Sequence, residues 1–496
     1  MTADVAGPAW SGTESDTYPG RFPLSVERHV MGMADRLVPG VTTVTLNARY
    51  YCLHGLVAAE AKSRGLDESA AKDLLRRTEV VVGAVSARHW ETGGHGGLSR
   101  PHGYDVIAPQ VRAGGVDITA LSSPGRYAKS EWGFWPPYRG SEAVLQITTE
   151  SGIAPGEKFD TTAVHAGLGD VLSLARRSVL TTDVLDDHEY LCVCQSVASS
   201  DGDWLARLLA QPGISDERPT RAWTRRQTLR TIARCVQLTT VDRASIDIAE
   251  FLAYNEAVTQ DAVLTSTPIA EQWRGVILRN YSVGAWRDLW RWLVEGIHGL
   301  TARARLGDLF ADGLPDQTVT AFSAQLPATR TPDGQPAPAE LDHDLADTDW
   351  PQWCLSILLL GARRTRELAG NELAGFQGRA VDDINEELAP AWLASRVDDW
   401  RDQSVRDFAR WLTELMINRS QRLALRKART DRKTGALKIP SRVYLRDGFL
   451  FRDSSEGGGQ ASLRLDQLAG ILAGVGVLTR DAQGHWGVGP RGDLLG

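Results

Sequence analysis

The sequence predicts a mainly α, multidomain protein that ends in a winged-helix-like α+β unit. Its 496 residues exceed what one hydrophobic core usually supports, so roughly two to four domains are expected. Apolar residues recur at helical spacing over most of the chain, whereas strand-like runs with turn residues gather after Gly435. That last segment places a leucine-striped helix before a terminal hairpin, which is the element order of a winged helix.

Composition divides the chain into six segments. The clearest boundary is 321–350, where four prolines precede five acidic residues without helical periodicity, as is typical of a solvated linker. Those carboxylates could alternatively bind a cation. The predicted segments are a disordered lead-in (1–20), a mostly helical domain with an aromatic loop (21–200), a helical domain (201–320), the Pro/acidic linker (321–350), a helical domain with a basic end (351–435) and the winged-helix-like domain (436–496).

Aromatic residues mark two N-terminal motifs. NARYYCLHGLV begins an amphipathic helix on which Tyr50, Leu53 and His54 recur at helical spacing. WGFWPPY, which begins at Trp132, is surrounded by cations and could stack nucleic-acid bases. A rigid, proline-locked core plug is the interpretation that we favour for this motif.

Two groups of residues resemble fragments of a metal site. His89, His95 and His102 flank or occupy a glycine-rich loop, but they lack helical HxxxH spacing. Cys192 and Cys194 share one face if their segment is a strand, yet a second ligand pair is missing, and small core residues are the simpler interpretation. The sequence therefore predicts no metal and no cofactor, and it leaves the role of both groups open.

The overall composition indicates a cytoplasmic protein. No apolar run approaches the roughly 18–20 residues that span a bilayer, so no membrane partner is expected. The N-terminal segment lacks the pattern of a signal peptide. Five cysteines without a CxxC pair fit a reducing compartment.

The strongest local signal is a basic segment, Arg419–Arg446, with ten cations and one anion, Asp431. A net charge of −7 for the whole chain argues against nucleic-acid binding over the entire surface but not at such a site. A solvated helix end is the alternative. The residues predicted to contact phosphate are Arg419, Arg422, Arg426, Lys427, Arg429, Arg432 and Lys433, and those predicted to lie nearer the bases or grooves are Arg464, Gln467 and Arg480.

Catalytic signatures do not emerge from the sequence. GxSxG, HExxH, a Walker A loop and CxxC are all missing. LDDHEYLC holds Asp186, Asp187, His188 and Glu189, whose carboxylates could hold a divalent ion for phosphodiester cleavage. Because adjacent residues point in different directions, the four cannot converge without partners from elsewhere. An enzymatic function is therefore the weaker hypothesis. If the protein is an enzyme, the sequence favours a metal-dependent nuclease.

Three stretches carry a resemblance to other proteins: NARYYCLHGLV, YAKSEWGFWPPYRG and the terminal LRLDQLAGILAGVGVL. They resemble poorly characterised bacterial proteins encoded near phage-defence and restriction genes, which are helix-rich with RYY and WGF motifs and a winged-helix-like end. The resemblance covers about a quarter of the chain and implies no catalytic residue. It implies a non-catalytic DNA-recognition or assembly subunit of an anti-phage complex, with DNA and other subunits as partners. A protein-interaction scaffold without nucleic-acid binding is the alternative.

Overall fold

The computed structural model describes residues 22–96, 99–210, 220–377, 387–430, 435 and 437–496. The predicted lead-in, 1–20, lies outside them. The α-helices are α1 (Arg28–Leu37), α2 (Arg49–Arg64), α3 (Glu68–Glu91), α4 (Tyr104–Arg112), α5 (Ile118–Leu121), α6 (Trp135–Leu145), α7 (Thr161–Leu168), α8 (Asp170–Leu174), α9 (Thr182–Asp187), α10 (Ser200–Ala210), α11 (Arg221–Leu238), α12 (Ala249–Tyr254), α13 (Ala257–Gln260), α14 (Ile269–Glu295), α15 (Arg303–Asp312), α16 (Val319–Ala324), α17 (His343–Ala346), α18 (Trp350–Arg364), α19 (Gly370–Gln377), α20 (Pro390–Asp399), α21 (Val405–Arg426) and α22 (Leu465–Gly474). The strands are β1 (Gly115–Asp117), β2 (Thr148–Thr149), β3 (Gly152–Pro155), β4 (Val179–Thr181), β5 (Thr301–Ala302), β6 (Arg429–Thr430), β7 (Leu437–Lys438), β8 (Val443–Arg446), β9 (Phe449–Arg452), β10 (Leu478–Arg480) and β11 (Trp486–Val488).

The mainly α prediction is confirmed, since about 59% of the structure is helical and 8% is strand. Among the described helices, none is both long and apolar enough to cross a bilayer. Contacts group the chain into two compact units, each assembled from separated segments. The first unit contains the described residues up to Met33 together with Leu252–Glu256 and Glu271–Ala461, and the second contains Ala34–Phe251, Ala257–Ala270 and Ser462–Gly496. The segment predicted as a winged-helix-like domain, 436–496, is thus shared between the units.

In the first unit, buried arginine side chains tie loops to helices. Arg364, at the end of α18, is 1% exposed and forms an ion pair with Glu340. Its guanidinium also donates to the carbonyls of Thr329 (3.1 Å) and Ala337 (2.8 Å). Glu340 is itself only 5% exposed, so this acidic residue of the predicted linker is not solvated. The predicted linker segment therefore packs around the buried guanidinium of Arg364. Its composition alone does not reveal this contact.

A three-stranded sheet of order β5-β9-β8 also belongs to the first unit. The Asp-Gly pair in VYLRDGFLF predicts a hairpin, and β8 and β9 pair antiparallel around it. Asp447 and Gly448 have φ values of 51° and 81°, the left-handed backbone that a two-residue hairpin turn requires.

The second unit is built around α2 and α3, whose side chains are mostly buried. The sequence offers Asp67 or Ser69 as the cap of α3, and the structure uses Asp67, which accepts the Ala70 N–H at 2.8 Å. α4, α7 and α9 pack against this pair. The two helices place the RYYCLHGL motif beside the WGFWPPY motif.

A buried polar network joins the two aromatic motifs. His54 lies between two carboxylates, with Nδ1 at 2.6 Å from Glu142 and Nε2 at 2.9 Å from Glu79. The WGFWPPY motif donates the Phe134 N–H to Glu79 (3.0 Å) and the Trp135 indole N–H to Glu142 (2.9 Å). The aromatic motif therefore supplies hydrogen bonds to buried charge as well as apolar packing, in agreement with the favoured core-plug interpretation.

Candidate metal centre

The first half of the centre lies where α3 ends. His89 sits in the last turn, and the glycine-rich loop then folds back over it, because the N–H groups of Gly94 and His95 both donate to the His89 carbonyl at 3.1 Å. A Cβ on Gly94 would lie 2.3 Å from His89 Nε2, so only glycine fits there. This turn places His95 beside His89, with their ring centroids 6.1 Å apart.

The second half is a pair of short 3₁₀ turns, Glu189–Leu191 and Val193–Ala198, that carry the cysteines. Arg49 of the RYY motif is 1% exposed and donates to the Cys192 carbonyl at 2.6 Å. The Asp201 carboxylate orients Arg49 through two hydrogen bonds of 3.0 and 3.1 Å. Ser86, one turn before His89 on α3, accepts the Val193 N–H at 3.0 Å. These contacts fix the cysteine backbone against α2 and α3.

The two halves bring four ligand atoms together. His89, His95, Cys192 and Cys194 each offer one nitrogen or sulfur, and these atoms all lie within 4.8 Å of one another. The two sulfurs are 3.3 Å apart, Cys192 Sγ is 3.1 Å from His95 Nδ1, and Cys194 Sγ is 3.4 Å from His89 Nδ1. Tetrahedral zinc with bonds of about 2.0–2.3 Å requires ligand separations of about 3.3–3.8 Å. Across the part of the chain that the structure describes, this is the one such group of four.

The electrostatics of the cysteine pair favour a thiolate. The hydrogen bond from the Cys192 thiol lowers the pKa of Cys194, and His95 lowers it further. The same contact, together with burial, raises the pKa of Cys192. One sulfur is therefore held in the deprotonated form that binds metal ions.

The surroundings of the histidines also fit a metal ion. His95 turns its Nδ1 toward Cys192 Sγ, 3.1 Å away, while its Nε2 is buried without a hydrogen-bond partner among the described residues. Glu189 Oε2 lies 4.0 Å from His89 Nε2, which places a negative charge near this ligand. Cys194 also lines a cavity of about 70 Å³ beside the cluster.

The sequence analysis considered the two histidines and the two cysteines of this centre as separate groups, and it did not join them. His102, grouped there with His89 and His95, lies elsewhere: its ring stacks on Phe134 at 4.5 Å, and its Nε2 is 3.0 Å from the Tyr138 hydroxyl. Burial, with a contribution from His54, lowers the pKa of His102 to about 4. The second ligand pair that the cysteines lacked is His89 and His95, about a hundred residues earlier in the chain.

The residues considered for a nuclease do not converge. Asp186 forms an ion pair with Arg88, and His188 Nδ1 lies 2.8 Å from the Val184 carbonyl. Glu189 faces His89 instead. This arrangement agrees with the argument that neighbouring residues point apart.

The predicted phosphate contacts fall into three groups. Arg419 and Arg422 share the Glu387 carboxylate, Arg419 also donates to the Leu24 carbonyl, and Lys427 donates to the Phe22 carbonyl at 3.0 Å. Arg426 and Arg429 are exposed at the end of α21 and on β6. Arg432 and Lys433 lie outside the described residues.

The residues predicted to lie near bases are mostly engaged within the second unit. Arg464 precedes α22, donates to the Val41 carbonyl at 2.8 Å and pairs with Asp35, so its side chain is 11% exposed. Gln467 is half-buried on α22. Arg480 lies over the Trp486 ring, 4.9 Å from its centroid, and donates to the Asp242 carbonyl at 2.7 Å. A helix followed by a two-stranded hairpin is present, while the winged helix itself stays a prediction.

Comparisons with known proteins add no second source of evidence. No protein-family model, curated protein or solved structure gives a significant match to this chain. The function proposed below is therefore inferred from the residues of the chain itself.

Proposed function

We propose that this chain is a zinc-binding protein in which one ion is held by His89, His95, Cys192 and Cys194. The observation that carries the proposal is the convergence of four nitrogen and sulfur ligands within 4.8 Å. A mixed Cys₂His₂ set matches the ligand softness and the tetrahedral geometry that zinc prefers.

The role we assign to the ion is structural. Four protein ligands fill a tetrahedral shell, whereas catalytic zinc keeps a position open for water or substrate. The ion would tie the end of α3 and its glycine-rich loop to the 3₁₀ turns, which come about a hundred residues later. Because such a site is not preformed in the unfolded chain, the binding free energy contributes to folding.

Metal analysis of the purified protein tests this proposal. We expect about one zinc per chain by mass spectrometry, falling to a small fraction in a Cys192→Ser/Cys194→Ser variant. Cobalt substitution should give the ligand-field bands of a tetrahedral ion and sulfur-to-cobalt charge transfer, which report on geometry and thiolate ligation separately.

A matched control removes a cysteine elsewhere. Cys354 is fully buried in the first unit, so Cys354→Ala perturbs a core without touching the four ligands. The control should retain its zinc. Metal-free wild-type protein, or equal zinc in both cysteine variants, would refute the proposed site.

A second candidate function, nucleic-acid binding, is favoured by one further feature. β6 and β7 form an antiparallel hairpin whose described residues are all exposed, and Arg429 pairs directly with Lys438 across it. The strand pair thus presents neighbouring cations on an exposed surface, which suits contact with phosphate. We therefore propose that this cationic hairpin (β6–β7, with Arg426 just before it) contacts nucleic acid. Recognition or assembly within an anti-phage complex is the context that the sequence resemblance suggests.

Salt dependence tests the second function. We expect wild-type affinity for a labelled oligonucleotide to fall steeply with salt, and an Arg429→Ala/Lys438→Ala variant to lose up to two units of the log–log salt slope. Arg401→Ala is the matched control, because Arg401 is 70% exposed in the same unit but lies outside the hairpin. Identical slopes for all three proteins would contradict the assignment.

A further inference from the structure

One face of the β5-β9-β8 sheet is open and aromatic. Cross-strand partners share a face, and the ladder pairs Tyr444 with Phe451 and Arg446 with Phe449. These four side chains therefore lie on one side of the sheet. The opposite side carries Val443 and Leu450, which are 1% and 0% exposed and pack into the core.

The aromatic rings on this face are arranged to accept another planar group. Tyr444 and Phe451 stack at a centroid distance of 5.2 Å and an interplanar angle of 21°. Phe449 precedes Phe451 by two positions on the same strand and is 44% exposed, although a phenylalanine in a core sheet would be buried. Two positions along a strand separate them by roughly 6.6 Å. The face thus presents successive rings along one line.

An open groove runs beside this face. It measures about 880 Å³ and is lined by Phe449 and Phe451 of β9 and by the loop that includes His298 and Leu300. Leu300 is 68% exposed at its edge. The groove is open on one side, unlike an enclosed site for a small molecule.

The charge around the groove favours a polyanion. Arg446 and Arg452 line it, and the Arg446 side chain is 63% exposed. Asp447 also lines the groove, with its Oδ2 3.5 Å from Arg446 Nε. Lys438 of the cationic hairpin is five residues before Val443, which limits the distance between their Cα atoms to roughly 18 Å. Arg446 is thus the exposed cation on the aromatic side of the groove.

We propose that this aromatic sheet face binds single-stranded nucleic acid, with bases stacked on Phe449 and on the Tyr444–Phe451 pair and phosphates against Arg446. A sheet face with exposed aromatics and flanking cations suits unpaired bases, whose flat faces are accessible. Bases in a duplex are already stacked on each other and offer only their edges. The proposal rests on the second candidate function and specifies its ligand as a single strand.

The test compares four proteins on two probes. The proteins are wild type, Phe449→Ala, Phe449→Leu and the Arg429→Ala/Lys438→Ala variant. The probes are a fluorescein-labelled 20-nucleotide oligothymidylate, alone and annealed to its complement. Because Phe449 is exposed, its replacement leaves the core intact, and circular dichroism verifies this. Phe449→Leu keeps an apolar side chain but removes the ring.

We expect wild type to prefer the single strand to the duplex. Both Phe449 variants should bind the single strand at least fivefold more weakly, with duplex affinity unchanged. The hairpin variant should weaken binding to both probes. That pattern would separate stacking from phosphate attraction.

Other outcomes overturn the proposal in distinguishable ways. If wild type binds both probes equally and the Phe449 variants match it, the aromatic face is not the site, although nucleic-acid binding stands. If wild type binds neither probe at low salt, both ideas fail. If Phe449→Leu retains full binding, the contact is apolar and not stacking. Loss of self-association in Phe449→Ala by analytical ultracentrifugation, with unchanged oligonucleotide binding, would assign the face to a second copy of the chain.

Discussion

At the scale of single residues, His54 has the most constrained surroundings in the second unit. It is fully buried between Glu79 and Glu142, and Tyr50, His102 and Tyr138 lie close to its ring. Burial by itself lowers the pKa of His54, but the charge of Glu142 and hydrogen bonds with both carboxylates raise it to about 9. The imidazolium is therefore the form that the folded protein prefers at neutral pH.

This raised pKa predicts a pH dependence of stability. The folded-state value, about 9, lies above the ordinary value of 6.5, so the stabilisation is complete below about pH 6.5 and is lost as pH rises through 9. We expect the free energy of unfolding to fall by roughly 1–3 kcal/mol between pH 7 and pH 9.5. Denaturant titrations at several pH values measure it.

The slope of that dependence isolates the role of His54. His54→Gln should flatten it, whatever the variant does to absolute stability. His165→Gln replaces an exposed histidine on α7 and serves as the control, which should retain the wild-type slope. A His54→Gln protein with the full wild-type slope would show that other groups cause the pH dependence.

Residue-scale prediction from sequence succeeded for local chemistry and failed for long-range partners. The Asp67 cap and the Asp447–Gly448 turn follow from short-range backbone requirements, and both are confirmed. Counting charges along the chain does not predict which groups each arginine side chain contacts. Arg464 and Arg419 each donate to a backbone carbonyl about four hundred residues away, so the charge of their local sequence says little about their exposure.

At the scale of elements, the turn after α3 determines whether the metal centre can form. Gly94 allows the loop to pass over His89, and a Cβ there would lie 2.3 Å from His89 Nε2. Abundant glycine is typical of a flexible loop, whereas the structure uses one glycine here for a close approach. Periodicity and composition do not distinguish these two uses of glycine.

Replacement of this glycine gives a direct test of the element. We expect Gly94→Ala to displace His89 or His95 and to weaken zinc affinity by tenfold or more. Gly96→Ala is a matched control in the same loop, because a Cβ at Gly96 has nothing within 4 Å. Competition with a chromophoric chelator measures both affinities. Equal affinities would mean that the turn is not required for the ligand geometry.

At the scale of the whole molecule, zinc should stabilise one unit selectively. All four ligands belong to the second unit, and binding to the folded state alone contributes about 4 kcal/mol when free zinc is a thousandfold above its dissociation constant. We expect a chelator to increase hydrogen exchange in 89–96 and 189–198. Exchange in the β8–β9 hairpin, which belongs to the first unit, should stay unchanged. Uniform deprotection across both units would argue against a local structural ion.

Sequence reasoning reached the fold class but not the composition of the units. Helical periodicity is local, so the mainly α class followed from it. The units combine segments separated by hundreds of residues, and the metal ligands come from two segments about a hundred residues apart. A single sequence does not reveal which distant segments form a unit or which distant ligands meet. Contact between distant segments depends on the folded backbone.

The segmented second unit also has a consequence during synthesis. Ser462–Gly496 completes it: Arg491 donates to the Ser199 carbonyl, and the Trp486 N–H donates to the Val241 carbonyl. A ribosome adds roughly 5–20 residues per second, so some ten seconds or more pass between translation of Val241 and that of Trp486. During that interval, the surface that α22 later covers stays exposed on the nascent unit. We therefore expect a chaperone to bind the nascent unit during this time.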